Sequence, residues 1–266
     1  MVLFPTIIFF VFGLIIGSFL NVVIIRFNTQ KSFFGSFGGR SGCMTCQSIL
    51  TWYELIPVFS FLGLRGRCRK CKAKISIQYP MVELLTGLIF ALLFLKFQDL
   101  FFSQTLAFGF TYAYYAVAFS LLLVIAVYDF RHKIIPDILV FVFGFLALAG
   151  LFVLGADRSL VFSLHLPSFW EFWAGPIIAV PFAFFWLVSS GRWMGLGDAK
   201  LALGLGWLLG LSLALSGVVF AFWVGSIFGL ALLIFSKKYG MKSEIPFAPY
   251  LVFGALLVFL FELHIF

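Results

Sequence analysis

The sequence predicts an all-α polytopic membrane protein of about eight transmembrane helices, with a small cytoplasmic zinc-ribbon-like domain between spans one and two. Three observations carry that prediction. Of 266 residues, 63% are hydrophobic, 20% aromatic (39 are Phe) and only 11% charged, whereas a soluble domain is nearer half apolar and one quarter charged. The apolar residues gather in long uncharged runs. All four cysteines lie between the first two of those runs. The composition excludes a soluble fold of this length, a disordered chain, a disulfide scaffold and a collagen-like fibre.

A span needs roughly 17–25 apolar residues to cross about 30 Å of hydrocarbon. Runs that qualify are 3–25, 80–97, 105–128, 134–154, 172–190 and 246–265, together with an uncharged stretch at 201–235. As one helix that stretch would extend about 52 Å, more than a bilayer requires. It is therefore read as two short helices joined by a tight Gly/Ser turn near Gly210–Gly217. The apolar N-terminus has no basic segment and no small-x-small cleavage site, so it reads as a retained span and not a removed signal peptide.

Charge sets the expected orientation. The chain carries a net +8, and nine of its 18 basic residues fall between Arg26 and Lys74, where Glu54 is the one acid. Basic loops of this kind mark the cytoplasmic side, and that reading is preferred over nucleic-acid binding. With eight crossings, Arg131, Lys133, Arg192, Lys200, Lys237, Lys238 and Lys242 also fall inside, and only Lys96 and Arg158 fall outside. A single span over 201–235 would put the Lys237–Lys242 cluster outside, against the rule. The expected organisation is a first span at 1–25, a cytoplasmic metal-binding domain at 26–79 and a seven-span core at 80–266. The 155–171 segment reads as an outside connection.

The cysteines form two C-x-x-C pairs, Cys43/Cys46 and Cys68/Cys71, with 21 residues between them. Two such pairs at this separation are a zinc-ribbon pattern: each tight turn aims two thiolates at one ion, and the two turns complete a tetrahedron. Disulfides are the alternative, disfavoured in a reducing cytoplasm. Four thiolates leave no open position on the metal, so the expected zinc is structural. Arg65, Arg67, Arg69, Lys70 and Lys72 offset the charge of such a site.

Ionisable residues at membrane depth are costly and commonly functional. Asp129 follows the uncharged run 105–128 and opens DFRHKIIPD; Asp198 sits in GLGDAK. Both are expected at the cytoplasmic face. Two carboxylates in a poorly hydrated cleft cannot both ionise easily, so one keeps a proton and the other acts as a base, an arrangement that activates water against a carbonyl. On position alone, Asp129 is equally read as a solvated helix end and Asp198 as an N-cap. Asp137, after Pro136, suits the first turn of a helix, where it complements the dipole. The glycines match neither a P-loop nor a dinucleotide fingerprint. His132, His165 and His264 are too dispersed for a catalytic triad.

Taken together, the chain resembles the bacterial type IV prepilin peptidases (leader peptidase/N-methyltransferases), which are intramembrane aspartic proteases. The likeness rests on GSFLNVVIIR at 17–26, the two C-x-x-C pairs, WYELIPVFSFLGLRGRCRKC at 52–71, ISIQYPMVELLTG at 75–87, DFRHKIIPD at 129–137, GLGDAK at 195–200 and PFAPYL at 246–251. In the last of these, Ala248 stands where Gly is common. The resemblance implies that Asp129 and Asp198 are the catalytic aspartates. It implies cleavage of the basic leader of prepilins and pseudopilins at the bacterial inner membrane, then methylation of the new N-terminal amine from S-adenosylmethionine. Retention of all four cysteines favours the bifunctional form. Methyl transfer needs a neutral amine, and Glu54 and Glu83 are the carboxylates available to hold and deprotonate it. Glu83 lies within an apolar run and is the preferred one, against a snorkelling interfacial carboxylate. Three other readings are a peptidase without methylation, an ion-coupled transporter or channel using the same aspartates, and a non-enzymatic zinc-ribbon membrane adaptor; the inverted repeats and midplane helix breaks of a transporter are not seen.

Overall fold

The computed structural model describes residues 2–27, 41–153, 166–235 and 245–265. Expectations for Lys31, Arg40, Arg158, His165, Lys237, Lys238 and Lys242 lie outside the described residues. The helices are α1 (Leu3–Arg26), α2 (Phe59–Gly63), α3 (Gln78–Lys96), α4 (Gln98–Ser103), α5 (Thr105–His132), α6 (Asp137–Val153), α7 (Phe169–Ser189), α8 (Leu196–Leu209), α9 (Leu211–Phe235) and α10 (Ala248–Phe261), with a 3-10 turn at Trp52–Leu55. Among the described residues, the only extended pairing is two isolated bridges. Among the described residues, α1, α3, α5, α7 and α9 are long and apolar enough to cross a membrane, and α6 and α10 are shorter apolar helices. With α8, these follow the eight expected segments in order. The chain is an all-α multi-pass membrane protein.

The 201–235 stretch does divide, but not into two short helices. It breaks at one residue, Gly210, whose φ of +73° and ψ of 170° are closed to residues with a Cβ. Its N–H still closes the last turn of α8 on the Gly206 carbonyl. Ser212, Ser216 and Gly217, expected in the turn, are instead helical. The Ser216 hydroxyl donates back to the Ser212 carbonyl, a bond compatible with helix. The result is a 14-residue α8 beginning at Leu196 and a 25-residue α9.

Two compact units divide the chain, Met1–Gln98 and Asp99–Phe266. In the first, α1 and α3 pack antiparallel. Phe9 stacks on Phe94 at 4.8 Å, Phe12 meets Phe90 at 5.8 Å, and Asn21 bonds the Tyr79 carbonyl. The opposite face of α1, including Leu3, Phe4, Ile7, Ile8, Val11 and Ile15, is exposed and wholly apolar. A continuous stripe of this kind at helical spacing suits lipid. In the second unit, α8 lies among α6, α7, α9 and α10, while α10 also packs on α5. Only 6% of the α9 window is buried, again a lipid-type surface.

A proline helps to fix α8 against α7. Pro176 lies inside α7 and has no N–H for the Phe172 carbonyl one turn earlier. The Trp207 indole Nε1 of α8 donates to that carbonyl at 2.9 Å. A freed backbone acceptor in an apolar setting is expensive unless a neighbouring helix satisfies it. Trp207→Phe keeps the ring and removes the donor. It is expected to lower stability by about 1–3 kcal/mol, read as a lower Tm in detergent micelles; an unchanged Tm would show that the bond contributes nothing.

Candidate functional site

Asp129 and Asp198 are both buried, at 4% and 8% exposure. That removes the solvated-end reading of Asp129. Helix α5 runs on past it to His132, closed by Lys133 in the left-handed region with its N–H on the Asp129 carbonyl. Asp129 shares a face with Leu122 and Ile125, which are fully buried, while Phe130, Arg131 and His132 point outward. The carboxylate therefore projects inward from the core stripe of α5. The N-cap reading of Asp198 also fails, because Gly195 occupies the cap and Asp198 lies in the first turn of α8.

Each carboxylate lies beside a backbone N–H at the start of a helix. Asp129 Oδ2 accepts from Ala248 N–H at 3.2 Å, at the first residue of α10. The Asp198 carboxylate lies beside the Gly195 N–H at the start of α8, and its Oδ1 is buried with no hydrogen-bond partner. Helix N-termini present unsatisfied N–H groups and a positive dipole end, so both positions suit negative charge. The two side chains are close enough that the charge of Asp129 acts on Asp198. This arrangement juxtaposes two buried acids, Asp129 fixed at one oxygen by a backbone N–H and Asp198 with a free buried acceptor.

The motif segments that carry these acids also touch each other. A Cβ at Gly197 would sit 2.8 Å from Ile135 Cβ, so only glycine lets the start of α8 approach the 134–136 loop this closely. Asp137 opens α6 as expected, and it also accepts an ion pair from Lys200 Nζ at 2.6 Å. The Ala248 contact was not foreseen from sequence; the PFAP segment, which places a helix start after Pro246, was the available signal. His132 and His264 are engaged elsewhere, with the Tyr128 carbonyl and Ser212.

In the Met1–Gln98 unit the four cysteines converge. Their Sγ atoms all lie within 4.8 Å of one another, and Cys43 and Cys71 are 3.7 Å apart. The edge of a tetrahedron of thiolates at about 2.3 Å from zinc is about 3.8 Å, so the cluster fits a single metal ion. The two pairs sit on equivalent turns. Cys43 N–H donates to Ser48 O, and Cys68 N–H to Ala73 O. The residue after each pair, Gln47 and Lys72, takes positive φ, and bridges Gly42–Ile49 and Arg67–Lys74 close the turns. Hydrogen bonds from the Ser48 hydroxyl and N–H hold the Cys46 thiol down at about 6. Backbone N–H groups of Cys71 and Lys70 lower Cys68. At Cys71 the Ala73 N–H lowers the thiol, but desolvation and the three neighbouring sulfurs raise it to about 11. Crowded thiolates thus hold the last proton, which a cation would displace.

The two carboxylates considered for amine chemistry part company. Glu54 Oε2 accepts from Thr51 N–H at 2.8 Å and Thr51 Oγ1 at 2.7 Å, capping the 3-10 turn. Those bonds also hold it below the usual carboxylate range. Glu83 is 7% exposed, so it does not snorkel. Its Oε2 accepts from Val58 N–H at 2.7 Å. Val58 has φ +61°, a strained conformation for a β-branched residue. Glu83 therefore anchors a strained turn of the segment between the two cysteine pairs.

Two family models match the chain. One, described as the bacterial peptidase A24 N-terminal domain, covers residues 11–97. The other, described as the type IV leader peptidase family, covers residues 116–234. Curated relatives named prepilin leader peptidase/N-methyltransferase include one from Myxococcus xanthus, 36% identical over 88% of this chain and 65% of its own length. A Bacillus subtilis relative is 31% identical over 96% of this chain and 93% of its own. One from Pseudomonas aeruginosa is 30% identical over 90% and 84%. The chain belongs to the type IV leader peptidase family. It spans about two thirds of the length of the Myxococcus relative. No solved structure matches it.

Replacing Gly197 with Val would wedge the start of α8 from Ile135 and is expected to lower the Tm by several degrees, as overpacking costs about 1–3 kcal/mol. By contrast, Lys200→Ala breaks a partly exposed pair and is expected to cost under about 1 kcal/mol. Equal losses in thermal unfolding of the two variants would contradict this ranking.

Proposed function

We propose that this protein is a prepilin leader peptidase and N-methyltransferase of the bacterial inner membrane. It removes the short basic leader of prepilins or pseudopilins, then methylates the new N-terminal amine with S-adenosylmethionine as co-substrate. The observation that carries the peptidase half is the pair of buried, mutually repelling carboxylates, Asp129 and Asp198, each beside a helix-start N–H. Two buried carboxylates that feel each other's charge do not both ionise easily, so one proton is kept between them. The ionised partner takes a proton from a water, which adds to the scissile carbonyl. The protonated partner donates to the carbonyl oxygen and later to the departing amine. No covalent intermediate with the protein is required.

The charge distribution supports a cytoplasmic position for the cysteine segment and for both aspartates, where a basic leader meets its hydrophobic helix. The four cysteines, with thiolate chemistry and tetrahedral spacing, suit one structural zinc ion. Zinc would fix the two turns and, through the intervening segment, the Val58 N–H on Glu83. Glu83 is the proposed proton acceptor for methyl transfer.

The test uses the purified full chain with a leader-bearing peptide, with and without S-adenosylmethionine, read by mass spectrometry. The wild type is expected to yield cleaved product that gains one methyl mass only with the donor. Asp129→Asn and Asp198→Asn are each expected to reduce cleavage by about a thousandfold or more; full activity in either folded variant removes the dyad assignment. Metal analysis is expected to return one zinc per chain, lost with Cys43→Ser plus Cys68→Ser. That variant should still cleave but methylate at least several-fold more slowly. Normal methylation without the metal would contradict the link from the cysteine domain to Glu83.

A further inference from the structure

At the end of the α1–α3 pair that flanks the cysteine segment, a second polar cluster is left incomplete. Asn21 is 1% exposed. Its Nδ2 donates to the Gly17 carbonyl at 3.3 Å and to the Tyr79 carbonyl at 3.0 Å. Those two acceptors use both amide hydrogens and so identify the other atom as Oδ1. Oδ1 is buried and has no hydrogen-bond partner. A buried acceptor in that state is costly and calls for a ligand.

Glu83 stands one helical turn beyond Tyr79 on α3, facing the same stretch of α1. A Cβ at Gly17 would sit 2.7 Å from Glu83 Cα. Facing positions i and i+4 therefore bring the Asn21 oxygen and the Glu83 carboxylate to adjacent levels of one helix interface. The Gly17 and Tyr79 carbonyls are already taken by the Asn21 amide, which leaves Asn21 Oδ1 as the unpaired acceptor at this level. The strained Val58 turn already supplies Glu83 with one N–H donor. An unpaired acceptor beside a carboxylate selects a small cationic N–H donor over an anion or an apolar group.

We infer that Asn21 and Glu83 form the recognition site for the free α-amine of the cleaved substrate, with Asn21 as the positioning residue. The inference rests on the methyl-transfer reading above. In it, the bound ammonium gives one proton to the Glu83 carboxylate. The nitrogen lone pair then forms the N–CH3 bond as the S–CH3 bond of the sulfonium donor breaks, its electron pair remaining on sulfur. Asn21 Oδ1 accepts a remaining N–H and aims the lone pair.

The test is equilibrium binding of a pre-cleaved pilin-type peptide to the full chain in micelles, without methyl donor, against the same peptide Nα-acetylated. Wild-type protein is expected to prefer the free amine by about tenfold or more, the scale of a hydrogen bond to a charged group. Asn21→Leu is expected to lose the preference, while Asn21→Asp, which keeps an acceptor there, retains it. A cooperative thermal transition and wild-type metal content at the four cysteines report whether each variant is folded. Should Asn21→Leu fail to fold, Asn21→Ala replaces it, because it removes the acceptor without adding bulk; loss of preference supports the site and full preference overturns it. A folded Asn21→Leu with wild-type preference, or a wild type with none, overturns the amine site even if methylation occurs. Selective amine binding by a wild type that never transfers methyl would instead overturn the methyl-transfer reading and leave the binding site standing.

Discussion

Two carboxylates from different helices are buried within reach of each other's charge, and much of the Asp99–Phe266 unit can be understood as the means of holding them there. Asp129 rides on the buried stripe of the longest helix, and Asp198 on the first turn of a short one. Neither would be stable there without compensation, because an isolated buried charge is strongly penalised. The compensation comes from two helix starts, with the Ala248 N–H bonded to Asp129 and Asp198 lying in the first turn of α8 beside the Gly195 N–H. It follows that α8 has to begin close to the 134–136 loop, which Gly197 permits, and that α10 has to begin beside α5. The Trp207 bond to the carbonyl freed by Pro176 secures α8 from its other side.

The Met1–Gln98 unit follows a different logic. Its cysteine segment has few buried apolar residues, so its turns depend on the thiolate cluster and on short hydrogen bonds. Between the cysteine pairs, Val58 is held in a conformation that its side chain disfavours, and Glu83 is the acceptor that holds it. The polar groups along the α1–α3 interface then need not be explained as structural alone. Asn21 uses both of its hydrogens to fix its own amide and leaves its oxygen unused.

Much of this was legible in the sequence, and for physical reasons. Hydropathy gives the long helices directly, because an apolar run has one stable fate in lipid. Two C-x-x-C pairs give the cluster, because turn geometry is local. The acids stood out as charges beside apolar runs. Their burial did not, since a solvated helix end and an N-cap have the same local sequence. The location of the α8–α9 break was also missed: Gly210, Ser212 and Gly217 look alike as turn residues, and only packing decides which one leaves the helix. The roles of Ala248, Val58 and Asn21 depend on contacts between segments far apart in the chain, such as residues 129 and 248, which periodicity does not encode.

The central claim is that Asp129 and Asp198 act as one unit on one water. The most direct measurement is leader cleavage by the wild type, the two single Asn variants and the double variant, compared as free energies of activation. A pair that works only together predicts that either single change costs nearly as much as both. Losses that simply add, with each single variant retaining its own share of activity, would contradict it.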